Sequence, residues 1–393
     1  MPAYRRFDPA PCGFPSARVG VLPSLRWRSL ALARNPLARH AHWYRRGRYA
    51  LQEACRLAGV GPGAALLVPA YHCRTMLDPA VSLGAQVIVY PLRPDLSPDV
   101  PAIERLLDRA GTSARALLAA HYFGFPRELD ELAALCARRD VVLIEDCSHV
   151  LAGAMVGQGA RTPMGTTGRY AIASPYKFFP APDGGLLWSN GSALAPVHQP
   201  SPGMALQARA VLDLLRSLVR RRVPPRAERL GDELRRLAQG ACAPPREWLE
   251  EVSAPSGLYD PSQGGTCSLA ASRWIARRTD LRRLVDLRRA HFRQWLDAVR
   301  DLPGCHALYA QLPDDCVPYM FPLLIERPHE DFVTLKRLGL PIWRWDELAV
   351  SDCTVAESYR LRLLHLPCHQ ELLEEDMRWM TTAVRAVCGR AGT

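Results

Sequence analysis

The sequence predicts an α/β fold in which a large, mostly parallel β-sheet carries helices on both faces. Two observations lead to this prediction. Short segments of almost unbroken apolar residues recur between residues 64 and 146, as expected for strands buried on both faces of a parallel sheet. Segments with the apolar spacing of amphipathic helices lie between them, so predicted helices and strands alternate along the chain.

The alternation begins at residue 47. We expect helices at 47–58, 74–85, 100–110 and 126–140, and strands at 64–70, 86–92, 114–124 and 141–146. In a parallel sheet of this kind, ligands bind beyond the carboxyl ends of the strands. A site is therefore expected around the residues that follow the strands 114–124 and 141–146, together with the segment 173–185.

The length of 393 residues and the apolar content of 48% allow a large core and two domains. We expect an N-terminal arm (1–40), a large domain (41–265) with an arginine-rich helical insertion at about 200–245, and a C-terminal part (266–393) that consists of a connecting helix over 268–299 and a smaller α+β domain. The insertion contains two amphipathic segments separated by a Pro-Pro pair. A membrane-surface helix is one interpretation of it, but a solvated helical hairpin or a subunit contact is favoured.

The composition favours a cytoplasmic protein with an anionic small-molecule substrate. The formal net charge is +11, but the arginines are spread along the chain and no nucleic-acid-binding motif is recognised. The twelve cysteines include no C-x-x-C pair, which favours reduced thiols over disulfides or a metal site. Neither a signal peptide nor an apolar segment of membrane-spanning length is found, so we expect neither nucleic acid nor membrane as a partner.

Only two of the fifty basic residues are lysines, Lys177 and Lys336. Lys177 stands among Tyr176, Phe178 and Phe179 in the segment 173–185. An amine can lose its proton and become a nucleophile, whereas a guanidinium stays charged, so a lysine retained in an arginine-rich chain suggests a Schiff base. From this segment alone, an exposed loop lysine is an equally good interpretation.

Two acidic residues, Glu145 and Asp146, end the predicted strand 141–146. Neighbouring residues on a strand point to opposite faces, so one of the two can face a ligand at the end of the strand. A buried carboxylate there would keep a heteroaromatic nitrogen protonated, as an enzyme that uses pyridoxal 5'-phosphate (PLP) requires. An Asp at this position taken alone is more often a turn or helix cap.

Four segments, in this order, resemble the DegT/DnrJ/StrS family of PLP-dependent sugar aminotransferases, which have fold type I. They are 59–73 (GVGPGAALLVPAYHC), 121–149 (HYFGFPRELDELAALCARRDVVLIEDCSH), 174–190 (SPYKFFPAPDGGLLWSN) and 366–380 (LPCHQELLEEDMRWM). The resemblance runs from residue 47 to residue 387 and is poor before 40 and between 191 and 265. It implies the fold type I version of the predicted α/β fold, a large PLP-binding domain with a smaller C-terminal domain.

The resemblance also implies roles for three residues near the strand ends. Lys177 would hold PLP as a Schiff base and move the proton during transfer. Asp146 would pair with the pyridine nitrogen, and His149 would lie near the phenolic oxygen of the ring. Without Asp146 beside it, His149 would be better interpreted as a hydrogen-bonded core histidine.

In the family, the cofactor phosphate is bound at the start of the first helix, where the helix dipole favours an anion. Here that position is occupied by Gly47, Arg48 and Tyr49. Arg48 is expected either to bind phosphate or to point to solvent. The family's serine five positions before the lysine is replaced by Ile172, and Ser174 is expected to take over.

The residue that aligns with the family's ring-stacking position is Cys73, preceded by Tyr71 and His72. The stacking residue therefore stays open. A zinc site made by His72 and Cys73 is not expected, because adjacent residues on a strand point apart.

These residues predict an aminotransferase that moves an amino group from an amino-acid donor to a keto substrate, a nucleotide sugar or a natural-product intermediate. The resemblance also implies a homodimer. Two departures, Phe178 where the family has Asn and 259–271 in place of the family's cross-subunit segment, point to a changed outer pocket. Two alternatives remain: a PLP enzyme that catalyses elimination or substitution, and a non-catalytic regulator that has kept the fold.

Overall fold

The computed structural model describes residues 3–8, 13–32, 35, 41–156, 164–195, 198–219, 223–238, 245–251 and 254–390. Within these residues the strands are β1 (Ala3–Asp8), β2 (His42–Tyr44), β3 (Ala65–Pro69), β4 (Gln86–Tyr90), β5 (Ala114–Ala120), β6 (Val142–Asp146), β7 (Tyr170–Ala173), β8 (Gly185–Ser189), β9 (Arg246–Glu251), β10 (Cys305–Ala307), β11 (Met320–Ile325) and β12 (Leu363–Pro367). The α-helices are α1 (Gly47–Leu57), α2 (Asp78–Ser82), α3 (Val100–Ala110), α4 (Asp130–Arg138), α5 (Leu151–Val156), α6 (Met204–Val219), α7 (Leu230–Ala238), α8 (Ala270–Arg278), α9 (Leu281–Val299), α10 (Glu330–Arg337), α11 (Thr354–Arg362) and α12 (Glu374–Cys388).

Seven strands form one large sheet in the order β2-β8-β7-β6-β5-β3-β4. The pairs from β4 across to β7 are parallel. Strand β8 runs antiparallel to both of its neighbours, β7 and β2. The predicted α/β fold with a large, mostly parallel sheet is therefore confirmed. The four strands expected between residues 64 and 146 all form; β3, β5 and β6 are mostly buried, whereas β4 lies at the edge of the sheet and is only partly buried.

The strand ends on one edge of this sheet are aligned by the register of pairing. Ala120 pairs with Asp146, and Asp146 pairs with Ile172 on the next strand. Helix α1 packs against β7 and β8, which brings its first residue, Gly47, to the same edge. The end of β6, the turn after β7 and the start of α1 thus meet at one place.

Three predicted helices are shorter than expected. The segment 126–140 is an α-helix only over Asp130–Arg138. The segment 74–85 forms a 3-10 turn at Arg74–Met76 and then the short helix α2, since Pro79 lies in the first turn of α2 and lacks the N–H that a continuous helix needs. The predicted connecting helix 268–299 is also wrong as one element. Thr279 has an extended backbone that ends α8, and the Asp280 side chain accepts the backbone N–H of Arg283 at 3.0 Å as the N-cap of α9.

The C-terminal part contains an antiparallel sheet in the order β10-β11-β12, with α9 and α12 packed together beside it. The N-terminal strand β1 pairs antiparallel with β9 in a separate two-stranded sheet. The arginine-rich region forms α6 and α7, as its amphipathic pattern predicts. Of the helices described, none combines the length and the apolar character needed to cross a bilayer. The predicted domain boundaries stay a prediction.

Candidate active site

A pocket opens at the edge of the large sheet where the parallel strands end, and it encloses about 540 Å³ of empty space, counting the part open to solvent. Seven of the eight residues predicted for the site line it: Gly47, Arg48, Cys73, Asp146, His149, Ser174 and Lys177. The structure therefore brings together residues that are up to 130 positions apart in the sequence.

Asp146, at the last position of β6, is the carboxylate that faces the pocket. Its side chain is buried, with 8% of the residue exposed. The backbone N–H of Ser148 donates to Oδ1 at 2.8 Å. No hydrogen bond from the described residues reaches Oδ2, so this oxygen is available to a ligand in the pocket.

Glu145, its neighbour, points to the opposite face, as strand alternation predicts. Its carboxylate accepts the backbone N–H groups of Gly165, Thr167 and Gly168 at 2.6, 3.1 and 3.1 Å, and His121 Nε2 at 3.0 Å. Burial on its own would raise the pKa of the Glu145 carboxyl, but the hydrogen bonds from His121 and the glycine N–H groups lower it overall. Glu145 thus anchors the loop before β7, and Asp146 is left for the pocket.

His121, Glu145 and Cys147 have ligand atoms within 4.8 Å of one another. The hydrogen bonds of these residues account for their positions. Arg127 donates its backbone N–H to His121 Nδ1 at 2.9 Å, and the opposite nitrogen of the ring donates to Glu145. The cluster is therefore a hydrogen-bonded support beneath β6.

Lys177 lies just beyond β7, in the single 3-10 turn Pro175–Lys177. Its backbone N–H donates to the carbonyl of Ser174 at 3.1 Å, and its Nζ lies 5.5 Å from the centroid of the Tyr319 ring. Lys177 is half-buried, and the following residues Phe178 and Phe179 are fully buried. The amine thus stands in the pocket against an aromatic face.

His149 is a buried, neutral histidine on the wall of the pocket. Its Nδ1 accepts the backbone N–H of Phe123 at 3.3 Å, so the proton of the neutral ring is on Nε2. The ring stacks on Tyr319 with 4.4 Å between centroids and an angle of 29°. Burial lowers the pKa of His149 well below its ordinary value, and the positive charge of Lys177 and the nearby His365 lower it further.

Gly47 makes a close backbone approach at the start of α1. A Cβ at this position would stand 2.2 Å from Ser174 Oγ, so a larger residue here would force the serine hydroxyl to rotate away or α1 to move back from the lysine turn. Ser174 Oγ also accepts a hydrogen bond from Ser148 Oγ at 3.0 Å. The guanidinium of Arg46, the residue before Gly47, lies 4.6 Å from the Tyr176 ring centroid and also lines the pocket.

Of the remaining predicted residues, Arg48 and Cys73 line the pocket and Tyr49 does not. Arg48 lines the pocket, but its guanidinium donates to the carbonyl of Leu258, which is neither of the two positions expected from the sequence. Cys73 lines the pocket with its sulfur 3.2 Å from Thr75 Oγ1. Tyr49 lies outside the lining, buried against the Tyr259 ring with 5.4 Å between centroids.

Tyr71 and His72 are both fully buried and neither lines the pocket. The hydroxyl of Tyr71 is 2.8 Å from His365 Nε2, and His72 Nε2 accepts the backbone N–H of Ala349 at 3.1 Å. Neither Tyr71 nor His72 can therefore be assigned as the residue that stacks on the cofactor ring.

Several residues of the site were missed by sequence reasoning. Trp345 lines the pocket and lies 5.9 Å from the His149 ring, and Tyr319 contacts both His149 and Lys177. Both come from the C-terminal half, far from the other site residues in sequence, so no local pattern marks them. Arg46 could have been found, since it directly precedes the predicted helix start.

The fold and the pocket define a class: α/β proteins of fold type I, with a site at the carboxyl ends of the parallel strands. The structure of a DegT/DnrJ/EryC1/StrS aminotransferase from Brucella abortus has this fold. It superposes with a TM-score of 0.59 at 18% identity, and the match covers 89% of this chain and 86% of that one. At this level of identity the likeness shows the fold alone.

Residues 31–199 match the family model described as the DegT/DnrJ/EryC1/StrS aminotransferase family. This range contains the seven predicted residues that line the pocket, so the resemblance stated from the sequence is confirmed. Over 157 residues the chain is 29% identical to a dTDP-3-amino-3,4,6-trideoxy-alpha-D-glucose transaminase of Streptomyces venezuelae, covering 39% of this chain and 38% of that one. Over 166 residues it is 26% identical to a pleiotropic regulatory protein of Geobacillus stearothermophilus, covering 40% and 42%. The chain thus spans about two fifths of the length of these curated relatives.

Proposed function

We propose that this protein is a PLP-dependent aminotransferase that transfers an amino group from an amino-acid donor to a keto substrate. The observation that carries the proposal is that Lys177 and Asp146 line one pocket at the ends of adjacent parallel strands. We propose a keto sugar carried on a nucleotide as the acceptor, or else a natural-product intermediate. The name of the Streptomyces venezuelae relative, a transaminase of a dTDP-linked sugar, supports the first.

The residues present fit PLP. The start of α1 and the hydroxyl of Ser174 meet in the pocket lining, where a helix N-terminus and a hydroxyl can bind a phosphate, and no donor among the described residues reaches Asp146 Oδ2. When bound, PLP supplies an aldehyde that combines with an amine and a protonated ring that withdraws electrons from the reacting carbon.

Asp146 keeps the proton on the pyridine nitrogen. Its carboxylate is buried at the end of β6, where a charge interacts more strongly than in water. The hydrogen bond from Ser148 fixes the orientation of the carboxyl group. We propose that this carboxylate is the reason that the ring can act as an electron acceptor at neutral pH.

Lys177 holds the cofactor at rest and moves a proton during transfer. With PLP bound, the Lys177 amine would be the group that takes the proton from the α-carbon of the amino-acid donor. The Tyr319 ring, 5.5 Å from Nζ, forms the wall against which the side chain lies. A group that shuttles a proton must be held within hydrogen-bond reach of both atoms, which a packed wall favours.

His149 donates a hydrogen bond from Nε2. Because burial keeps the ring neutral and Nδ1 already accepts from Phe123, Nε2 carries the only proton. A neutral donor at this place can bind the phenolic oxygen of the cofactor without neutralising its charge. The phosphate is proposed to lie at the start of α1, held by the backbone of Gly47, the hydroxyl of Ser174 and the guanidinium of Arg46.

The proposal is tested by adding single amino acids to the protein loaded with PLP and following its visible absorbance. We expect at least one amino acid to convert bound PLP into pyridoxamine 5'-phosphate, released as such on acid denaturation. Lys336→Arg is the matched control and should convert like the native protein, whereas Lys177→Arg should not convert. A native protein that binds PLP but is converted by none of the protein amino acids would contradict the aminotransferase assignment.

Two other functions are distinguished by the same experiment. A PLP enzyme of elimination or substitution would release ammonia or exchange a side-chain group while the cofactor stays as PLP. A regulator would bind no PLP, and the name of the Geobacillus stearothermophilus relative, a pleiotropic regulatory protein, is the observation in its favour.

We further propose that the protein acts as a homodimer in the cytoplasm on an anionic substrate, for which its formal net charge of +11 is favourable. Sedimentation equilibrium of the PLP-loaded protein should show a dimer at micromolar concentration. A monomer with full activity would contradict the dimer.

A further inference from the structure

Arg288, on α9, is an arginine with no exposed surface, and the hydrogen bonds described for its side chain go to neutral groups. Its Nε donates to the side-chain oxygen of Gln370 at 2.9 Å. Its Nη1 donates to the carbonyls of Pro318 and Tyr319, both at 3.0 Å. The guanidinium therefore holds the segment that leads into β11.

The other terminal nitrogen of Arg288 holds the lysine turn. Its Nη2 donates to the backbone carbonyl of Lys177 at 3.2 Å, and the guanidinium carbon lies 4.6 Å from the centroid of the Phe178 ring. Gln370 adds a second bond, because its Nε2 donates to the carbonyl of Phe178 at 2.9 Å. Phe178 itself has no polar side-chain atom, so the turn is anchored through its carbonyls.

Burying this charge is costly. Removal from water lowers the pKa of Arg288 to about 10. A well-packed apolar side chain of similar volume is often as stable as a buried ion, or more stable, so filling space does not account for an arginine here. What the guanidinium provides is a fixed connection between two backbone segments that have no regular pairing with each other.

The two connected segments carry groups that meet in the pocket. Tyr319 lies on one and Lys177 on the other, and the lysine nitrogen is 5.5 Å from the tyrosine ring centroid. The Tyr319 ring also stacks on the ring of His149, with 4.4 Å between the two centroids. A shift of Arg288 would therefore move Lys177 relative to both rings.

We propose that Arg288, together with Gln370, is a positioning residue. It fixes the Lys177 amine against Tyr319 in the pocket at the carboxyl ends of the parallel strands. The catalytic meaning of this position rests on the proposed function, but the position itself can be measured without cofactor. The neighbouring Arg289 provides a control, because it is also buried on α9 yet donates to the carbonyls of Pro313 and Cys316 at 2.7 and 2.6 Å, away from the lysine turn.

The first measurement uses the fact that the chain has only two lysines. PLP-free protein is treated with a trace of acetic anhydride, and the ratio of acetylated Lys177 to acetylated Lys336 is measured by peptide mass spectrometry. We expect Arg288→Met to raise this ratio about threefold or more, because a released turn opens more often to solvent. Arg289→Met should keep the ratio of the native protein.

The second measurement separates the pocket from the lysine. Pyridoxamine 5'-phosphate cannot bond to Lys177, so its affinity reports on the pocket, whereas borohydride trapping of PLP over time reports on how fast the lysine reacts. In Arg288→Met we expect trapping on Lys177 to slow by about tenfold, since a misplaced reacting group loses rate steeply. The affinity for pyridoxamine 5'-phosphate should stay near that of Arg289→Met.

Equal acetylation ratios in Arg288→Met and Arg289→Met would overturn the proposal. If Arg288→Met does not fold, as judged by circular dichroism, Gln370→Leu decides, because it removes the donor to Phe178 and the acceptor for Arg288. An unchanged ratio in Gln370→Leu would then overturn it. If the native protein takes up no PLP, the proposed function fails while the acetylation ratios still decide on the position of the lysine.

Discussion

At the scale of single residues, the two neighbouring acids at the end of β6 have separate tasks. The Glu145 carboxylate accepts hydrogen bonds from three backbone N–H groups and a histidine on the face of the sheet away from the pocket. Asp146 accepts one hydrogen bond at Oδ1, and its Oδ2 is available to a ligand in the pocket. The division follows from strand geometry, which turns consecutive side chains to opposite faces. A substitution of Asp146 can therefore be compared with a substitution of Glu145 as its control.

We expect Asp146→Asn to bind PLP but to convert it with an amino acid at least about 100-fold more slowly, because an amide cannot keep the pyridine nitrogen protonated. Stopped-flow absorbance with the best donor measures the rate. Glu145→Gln should lower the thermal unfolding midpoint while the conversion rate stays within a few-fold of native. Similar rates in Asp146→Asn and the native protein would contradict the role given to this carboxylate.

Lys177 and Asp146 were noticed in the sequence because a rare lysine and a pair of acids stand at the ends of predicted strands, whereas the role of His149 came only from the resemblance to the family. Tyr319 and Trp345 could not be, since what places them near His149 is the packing of the C-terminal sheet region against the large sheet. Arg288 was also beyond reach, because nothing in an arginine-rich helix distinguishes the arginine that is buried.

At the scale of elements, the start of α1 and the lysine turn approach each other so closely that only a hydrogen fits between them. The hypothetical Cβ of Gly47 would lie 2.2 Å from Ser174 Oγ but 3.5 Å from Ser174 Cβ. The serine hydroxyl is therefore what blocks a larger residue. This approach also brings the positive end of the helix dipole to the pocket.

We expect Gly47→Ala to weaken PLP binding about fivefold or more, since overpacking on this scale costs about 1 kcal/mol or more. The double variant Gly47→Ala, Ser174→Ala removes the oxygen that clashes and should recover much of the loss, apart from what Ser174→Ala costs alone. Fluorescence titration with PLP gives the four affinities. Losses that simply add would show that the contact between Gly47 and Ser174 does not determine the binding.

The elements themselves were predicted well where the apolar pattern is long and regular, as for α3, which forms at the expected residues. The errors came where one residue interrupts a pattern that otherwise continues. Thr279 and Asp280 interrupt the predicted connecting helix with an extended residue and an N-cap, and Pro79 shortens α2. In each case the local backbone preference prevails over the apolar spacing.

At the scale of the whole molecule, the core around the pocket contains three buried neutral histidines. Burial lowers the pKa of His72 from 6.5 to about 4 and that of His365 to about 3, and it lowers the pKa of His149 as well. In the unfolded chain these side chains take up protons near pH 6.5. The stability that they contribute is therefore complete above that pH and is lost as the pH falls through the range down to about 3.

We expect the free energy of unfolding to fall steeply between about pH 6.5 and about pH 4, by about 1 kcal/mol per pH unit for each such histidine. His365→Gln should reduce the slope by that amount. Urea unfolding followed by tryptophan fluorescence measures the slope. An equal slope in His365→Gln and native protein would show that His365 is not held neutral in the fold.

The measurement that most directly tests the central claim is reduction of the PLP-loaded protein with borohydride, followed by peptide mass mapping. The chain has two lysines, so the result is unambiguous. We predict that the pyridoxyl phosphate group is found on Lys177 and that Lys336 carries none. Attachment at Lys336, or no attachment to protein that has been saturated with PLP, would contradict the account.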